Sequence, residues 1–100
     1  MRYFVIGDED TVLGFSLVGT RGISASNEKE ASDALREALE DRQNGIIIMT
    51  QDVADMIRSE VDRYIFSESF PLIVEIPNRK SGGVSRDLRA LVNEAIGVSL

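Results

Sequence analysis

The stretch SFPLIVEIP, residues 69–77, defines one β-strand together with both of its ends. Pro71 and Pro77 are the only prolines in the chain, and apolar residues with one glutamate lie between them. Proline has no backbone N–H to give to a sheet, so it is tolerated at the start of a strand and stops the pairing where it follows one. We therefore predict a strand over residues 72–76.

Three strands and three helices are predicted to precede this strand. Short β-branched or aromatic runs, bounded by glycine or polar residues, predict strands over residues 2–6, 22–25 and 46–49. Apolar residues at helical spacing predict a helix over residues 11–19 and two longer helices after it. The apolar stripes of the longer helices are Ala31, Ala34, Leu35, Ala38 and Leu39 in one, and Val53, Met56, Ile57, Val61, Tyr64 and Ile65 in the other.

The ends of these helices also carry sequence signals. Asn27 is predicted to cap the second helix, with Glu30 as its reciprocal acidic partner. Asn44 and Gly45 are predicted to end that helix, because both residues tolerate the left-handed conformation found at helix C-termini. Thr50 is predicted to cap the third helix.

The alternation of strands and helices, β-α-β-α-β-α-β-α, predicts an α/β fold. We expect a four-stranded parallel sheet flanked by helices, flavodoxin-like or Rossmann-like, with residues 46–49 at its centre and residues 22–25 at an edge. One hundred residues is the size of one compact domain. Within it we predict an α/β sheet domain over 1–77, a hinge loop over 78–83 and an amphipathic, movable helix over 84–100.

The composition excludes several classes of function. The chain has no cysteine and no histidine, which removes disulfides, the usual zinc sites and imidazole-based catalysis, and we predict no cofactor. A net charge of −6 disfavours nucleic acid, so we assign Tyr3, Phe4 and Phe15 to the core instead of to base stacking. No apolar run approaches the roughly 20 residues of a membrane span and no signal peptide is visible, which predicts a cytoplasmic protein without membrane insertion.

An acidic cluster, Asp8, Glu9 and Asp10, follows the first strand at the edge of the sheet where open α/β folds bind ligands. Three carboxylates could hold a magnesium ion there, or they could stabilise the positive N-terminal end of the next helix. A receiver-like signalling module switched by phosphorylation is a second function that this cluster permits. That class needs an aspartate at the end of the third strand and a lysine after a later one, and Asp52 and Lys80 both lie too late in the chain.

The C-terminal part differs from the rest in charge. Residues 1–77 hold 7 basic and 15 acidic side chains, a net charge of −8, whereas residues 78–100 have a net charge of +2. A basic amphipathic helix beyond the glycine pair Gly82-Gly83 can cover the sheet with its apolar stripe or dock into a groove of a partner, and both alternatives stay open. The stripe consists of Leu88, Leu91, Val92, Ala95 and Ile96.

Three stretches together resemble one family: YFVIGDEDTVLGFSLVG at residues 3–19, SFPLIVEIP at 69–77 and AIGVSL at 95–100. Over essentially the whole chain they are similar to the F subunit of the V-type and archaeal A-type rotary ATPases. The resemblance implies a non-catalytic subunit of the central stalk, the rotor of a proton- or sodium-translocating ATPase, on the cytoplasmic side of the membrane and peripheral to it. It implies binding to the coiled-coil D subunit, which forms the shaft, within the head of catalytic A and B subunits, and coupling through a funnel-like stalk subunit.

The resemblance also suggests which residues meet partners. Four residues match the family's first-helix motif, although Ser16 departs from the basic residue often found within it, which removes the basis for an ionic contact there. Phe70, Pro71, Ile76 and Pro77 match the fourth strand. With the basic tail included, the predicted partner-binding residues are Gly14, Phe15, Leu17, Gly19, Ile76, Pro77, Arg79, Arg86, Leu88, Arg89, Leu91 and Val92. The alternatives are the receiver-like module and a homodimer built on the edge strand at residues 22–25.

Overall fold

Strands and helices alternate along residues 2–78, the part of the chain that this computed structural model describes. The elements are β1 (Arg2–Gly7), α1 (Glu9–Ser16), β2 (Arg21–Ser24), α2 (Glu28–Glu40), β3 (Asn44–Thr50), α3 (Gln51–Met56), α4 (Arg58–Ser67) and β4 (Leu72–Ile76). The four strands form one parallel sheet in the order β2-β1-β3-β4. The predicted α/β class, the parallel sheet, the central position of β3 and the edge position of β2 are therefore confirmed.

The main core lies on one face of the sheet, beneath α2, α3 and α4. Alternate residues of β1 and β3 point into it, and the apolar stripe of each helix packs down on them. Each fully buried aliphatic side chain contributes roughly 1.5–3 kcal/mol relative to an exposed one, so this layer supplies most of the stability of the sheet. Its members include Phe4, Ile6, Ile47 and Met49 from the strands and Ala31, Leu35, Val53, Ile57 and Val61 from the helices.

Helix α1 lies on the opposite face. The step from β1 to β2 moves one way along the sheet, and the later steps move the other way, so right-handed crossovers place α1 on one face and the remaining helices on the other. The packing is close, because a Cβ added at Gly22 of β2 would lie 3.3 Å from Val12 of α1.

Helix α1 begins and ends earlier than predicted, spanning Glu9–Ser16 and not residues 11–19. Asp8 takes the N-cap position, which starts the helix sooner than the apolar spacing suggested. The chain then turns, and Gly19 adopts the left-handed conformation with φ 87° before β2 begins. Leu17 and Val18 consequently lie in the turn at the end of α1.

The end of α2 differs from the prediction. Asn44 and Gly45 do not end the helix; α2 stops at Glu40, and the chain leaves in extended conformation at Asp41, so no left-handed residue is needed. Asn44 instead begins β3, where it is buried and its Nδ2 donates a hydrogen bond to the carbonyl oxygen of Ala38 at 2.9 Å. The asparagine thus satisfies a carbonyl at the helix end from the neighbouring strand.

The predicted cap of α2 is confirmed at Asn27, whose Oδ1 accepts a hydrogen bond from the backbone N–H of Glu30 at 2.8 Å. The reciprocal bond is shifted by one residue. Glu30 accepts from the backbone N–H and the hydroxyl of Ser26, and these bonds lower the pKa of Glu30.

The region after β3 holds two helices where one was predicted. Ile57 has φ −127° and ψ 41°, outside the helical region, and separates α3 from α4. Thr50 occupies the N-cap position of α3 but makes no capping hydrogen bond, so that prediction is wrong. Its side chain packs against β1 instead, with Cγ2 only 2.7 Å from the place where a Cβ at Gly7 would be.

The cap of α3 comes from much later in the chain. The backbone N–H of Asp52 donates a hydrogen bond to Oδ1 of Asn78 at 2.7 Å, and Asn78 follows the proline that ends β4. The exit from β4 is therefore tied to the start of α3. The predicted hinge beyond Asn78 and the predicted helix over 84–100 lie outside the described residues.

Candidate functional site

The acidic cluster at the carboxyl edge of the sheet takes part in starting α1. The carboxylate of Asp8 accepts hydrogen bonds from the Thr11 backbone N–H at 3.2 Å and from the Thr11 hydroxyl at 2.6 Å. Glu9 and Asp10 lie in the first turn, where carboxylates stabilise the positive end of the helix. Within residues 2–78, no three acidic side chains come together in a way that could hold a metal ion. The geometry supports the helix-starting interpretation of these acids.

Asp52, which the receiver-like alternative requires as a phosphate acceptor, is also used locally. It lies in the first turn of α3, beyond the end of β3, and its Oδ1 accepts a hydrogen bond from the backbone N–H of Val53 at 2.8 Å. Its own backbone N–H donates to Asn78. Lys80 lies outside the described residues, so the geometry offers no assembled phosphorylation site.

Arg58 forms the densest charged contact among residues 2–78. Its guanidinium binds Glu75 of β4 through two hydrogen bonds, at 2.6 and 2.9 Å, and it also contacts Asp55 and Asp62 on its own side of the sheet. The hydrogen bonds from Arg58 lower the pKa of Glu75. Because all of these charges are paired with each other, the cluster ties α4 to β4 and leaves little charge for a ligand.

The strongest candidate for a partner interface is the end of α1. Leu13 is exposed, and Leu17 and Val18 are 81% and 78% exposed. Gly14 lies beside them, and no heavy atom comes within 4 Å of the place where its Cβ would be. A helix surface with protruding aliphatic side chains and an open glycine suits close approach by another helix. Phe15, the remaining motif residue of this helix, is half-buried.

A second group of exposed apolar residues lies at the end of α4 and the start of β4. Phe66 is 90% exposed and Phe70 is 60% exposed, although large aromatic side chains usually find cover. Nearby, the Tyr64 hydroxyl donates a hydrogen bond to the carbonyl oxygen of Pro71 at 3.3 Å. Burial, with a smaller contribution from the charge of Glu68, raises the pKa of Tyr64.

The residues predicted to bind partners do not form one surface. Gly14, Phe15, Leu17 and Gly19 lie along α1 and the turn after it. Ile76 and Pro77 lie at the end of β4 and just after it, at the opposite end of the sheet, where Ile76 is half-buried and pairs with Thr50 of β3. The other predicted residues, Arg79, Arg86, Leu88, Arg89, Leu91 and Val92, lie outside the described residues.

Sequence reasoning also missed exposed residues. Tyr3, assigned above to the core, is 52% exposed, because no described helix covers that end of β1. Val18 and Phe66 were not singled out. Phe66 had a visible signal, since it falls outside the apolar stripe of its helix and so had no predicted place in the core.

Comparisons with known proteins agree with one another. The family model of the ATP synthase (F/14-kDa) subunit matches residues 4–92. The F subunit of the A-type ATP synthase of Methanosphaera stadtmanae is 34% identical over 100 residues, covering 96% of this chain and 92% of the relative. That of Pyrococcus furiosus is 37% identical over 106 residues, covering 100% and 98%. In the crystal structure of its counterpart in the V-type ATP synthase of Archaeoglobus fulgidus, the chain superposes with a TM-score of 0.59 at 25% identity, covering 75% of this chain and 95% of that one.

Proposed function

The chain belongs to the family of ATP synthase (F/14-kDa) subunits, the F subunits of A-type and V-type ATP synthases, and on that premise we propose that it is a non-catalytic member of the central stalk. It binds the coiled-coil D subunit, called the shaft subunit below, and turns with it inside the head of catalytic A and B subunits. In this position it helps couple ATP hydrolysis or synthesis to rotation and, through the funnel-like stalk subunit, to ion movement across the membrane.

The observation that carries the proposal is the exposed apolar surface at the end of α1. Leu13 and Leu17 are one helical turn apart, and Gly14 leaves room beside them. Coiled-coil helices present ridges of side chains that pack into such gaps. Burying an exposed leucine on binding is worth roughly 1.5–3 kcal/mol, which makes this surface costly to leave open and favourable to cover.

The architecture suits a protein that transmits force. A load on the sheet meets a buried apolar layer on one face and the Arg58–Glu75 pair, which holds the edge strand β4 to α4. Bidentate pairs of this kind fix relative orientation as well as distance. Both features keep the outer strand in place when the partner is pulled.

The proposal that the chain is non-catalytic is supported by how its candidate acids are used. Asp8 and Asp52 both accept hydrogen bonds at the first turn of a helix. Peripheral attachment through other subunits fits a further finding: within residues 2–78, every helix is too short or too polar to span a bilayer.

Direct titration tests the proposal. The purified chain is titrated in a calorimeter with the shaft subunit of the same source, and the product is weighed by native mass spectrometry. We expect a one-to-one complex. A chain that stays monomeric, or that forms only a homodimer at the same concentrations, would contradict the proposed function.

The matched variants are Leu17→Asp at the proposed surface and Glu37→Lys on α2, both at exposed positions. Placing a carboxylate in an apolar contact requires desolvation that nothing repays, so Leu17→Asp should weaken binding at least tenfold. Glu37→Lys should bind as the unchanged chain does.

A further inference from the structure

The exposed large apolar residues gather at one end of the molecule. All four strands are parallel and therefore begin at the same edge of the sheet, the amino edge, where Tyr3 lies near the start of β1 and Leu72 begins β4. Helices α1 and α4 run back against the strands, so the residues at their ends return to this edge. We call the set of exposed side chains there the amino-edge surface: Tyr3, Leu17, Val18, Phe66, Phe70 and Leu72.

Strand register connects the two halves of this surface. Tyr3 of β1 pairs with Ile46 of β3, and Ile46 pairs with Leu72 of β4. Paired residues in a parallel sheet point to the same face, so these three side chains form one apolar row across the sheet. Because Tyr3 shares its face with the neighbour-but-one Val5, which lies beneath α1, the row continues from the end of α1 to β4.

The opposite edge has the reverse character. The carboxyl edge, where open α/β sheets bind small ligands, carries Asp8, Glu9, Asp10 and Asp52. Most of the apolar exposure is thus at the edge that these folds do not use for small ligands. An elongated apolar row of this kind suits a macromolecular partner.

Two exposed arginines at the amino edge indicate the charge of that partner. Arg21 begins β2 shortly after Val18, and Arg42 lies just before β3. Neither takes part in any of the ion pairs found within residues 2–78. In a chain with a net charge of −6, two such cations beside an apolar row are complementary to carboxylates on a partner.

We propose that the amino-edge surface, from Leu17 across the sheet to Phe66 and Phe70, binds one amphipathic helical surface whose apolar stripe is flanked by carboxylates, paired with Arg21 and Arg42. The inference rests on the proposed function, because it takes the helical stalk partner as the occupant. It goes beyond that function by extending the contact from α1 to the far side of β4 and by assigning the partner's charge. An aromatic residue as exposed as Phe66 is then an anchor.

Substitutions at the far end of the surface separate this inference from the proposed function. Phe66→Asp, Arg42→Glu and the unchanged chain are each titrated with the purified shaft subunit, and the charge reversal Glu28→Arg near the carboxyl edge is the matched control. We expect at least tenfold weaker binding for Phe66→Asp, and for Arg42→Glu weaker binding with a smaller dependence on salt. Circular dichroism should show both variants folded, because both positions are exposed.

The outcomes are distinct. If the unchanged chain does not bind the shaft subunit, the proposed function fails. If it binds but Phe66→Asp and Arg42→Glu bind equally well, the contact is confined to α1 and the inference is wrong.

Hydrogen exchange of the full chain, with and without the shaft subunit, gives a second test. We expect new protection of backbone amides at residues 17–22 and 66–72 on binding. If the same amides are already protected in the free chain and do not change, the chain's own residues 79–100 or a second copy covers the surface, and the inference is overturned.

Discussion

At the scale of single residues, the structure shows how contacts distant in sequence decide roles that local patterns leave open. Asn44 resembles a helix terminator, yet it begins β3 and binds the carbonyl of Ala38 from there. Thr50 resembles a cap, yet its hydroxyl is buried without a hydrogen-bond partner among the described residues, and Asn78 supplies the capping oxygen. In both cases the side chain's partner depends on packing between strands, which a window of neighbouring residues does not contain.

Glycine at position 14 gives the first residue-level prediction. The site is open and lies within a helix, so Gly14→Gln should stabilise the free chain by about 0.5–1 kcal/mol, because glutamine is the better helix former. The longer side chain should at the same time fill the gap beside Leu17 and weaken binding of the shaft subunit. Urea unfolding and titration measure the two effects on one preparation.

Gly22→Ala is the matched glycine control, because there the new Cβ would lie 2.5 Å from the Val5 carbonyl oxygen. Backbone cannot easily move aside, so this variant should lose about 1–3 kcal/mol of stability. A Gly14→Gln variant that is less stable, or that binds as tightly as the unchanged chain, would show that the space at Gly14 has no role in the interface.

At the scale of elements, much of the fold could be predicted, and the errors fall at element ends. β4 was predicted with its observed bounds because Pro71 and Pro77 mark both ends, and the apolar run in β3 correctly indicated a central strand. The break at Ile57 could not be predicted, because the apolar stripe passes through it without interruption. The interface was only partly predictable: the motif on α1 led to Leu17, whereas exposure at Tyr3 depends on which helix covers which strand.

The contact between Asn78 and α3 gives an element-level prediction. Asn78→Ala removes the oxygen that accepts from the Asp52 N–H, and loss of a helix cap costs about 1 kcal/mol. The free energy of unfolding, from urea titration, should fall by that amount. Asn27→Ala, which removes the cap of α2, is the control of the same chemistry. An unchanged stability for Asn78→Ala beside a reduced one for Asn27→Ala would mean that the exit of β4 does not hold α3.

The pair between α4 and β4 predicts a pH dependence. Hydrogen bonds from Arg58 lower the pKa of Glu75 in the folded chain from its ordinary value of 4.5. A carboxyl whose folded pKa is lowered contributes stability that is present above the unfolded pKa and is lost as the pH falls through the folded pKa. Stability should therefore decline below about pH 4.5 more steeply in the unchanged chain than in Glu75→Gln.

Comparing the two proteins removes the contributions of Glu30 and Asp33, whose pKa values are also lowered and which both retain. The measurement is the urea midpoint of each protein between about pH 3 and pH 7. Parallel curves over the whole range would show that the Arg58–Glu75 contact does not stabilise the fold.

At the scale of the whole molecule, charge and apolar exposure lie at opposite ends of the sheet. Acids that start α1 and α3 occupy the carboxyl edge, whereas Tyr3, Phe70 and Leu72 are exposed at the amino edge. A free protein gains nothing from a row of exposed aromatic and aliphatic side chains, and a stalk protein held against a coiled coil buries it. The family membership and this arrangement lead to the same account, in which the body of the chain is a rigid adaptor on the shaft.

The most direct test of that account is affinity capture of the tagged full chain from membranes of its source in gentle detergent, with mass-spectrometric identification and stoichiometry of the proteins recovered. We predict one copy of the shaft subunit per copy of this chain, with the catalytic A and B subunits at higher copy, and loss of all three from the Leu17→Asp variant. Recovery of the chain alone, or recovery of the same complex from Leu17→Asp in undiminished amount, would contradict the account.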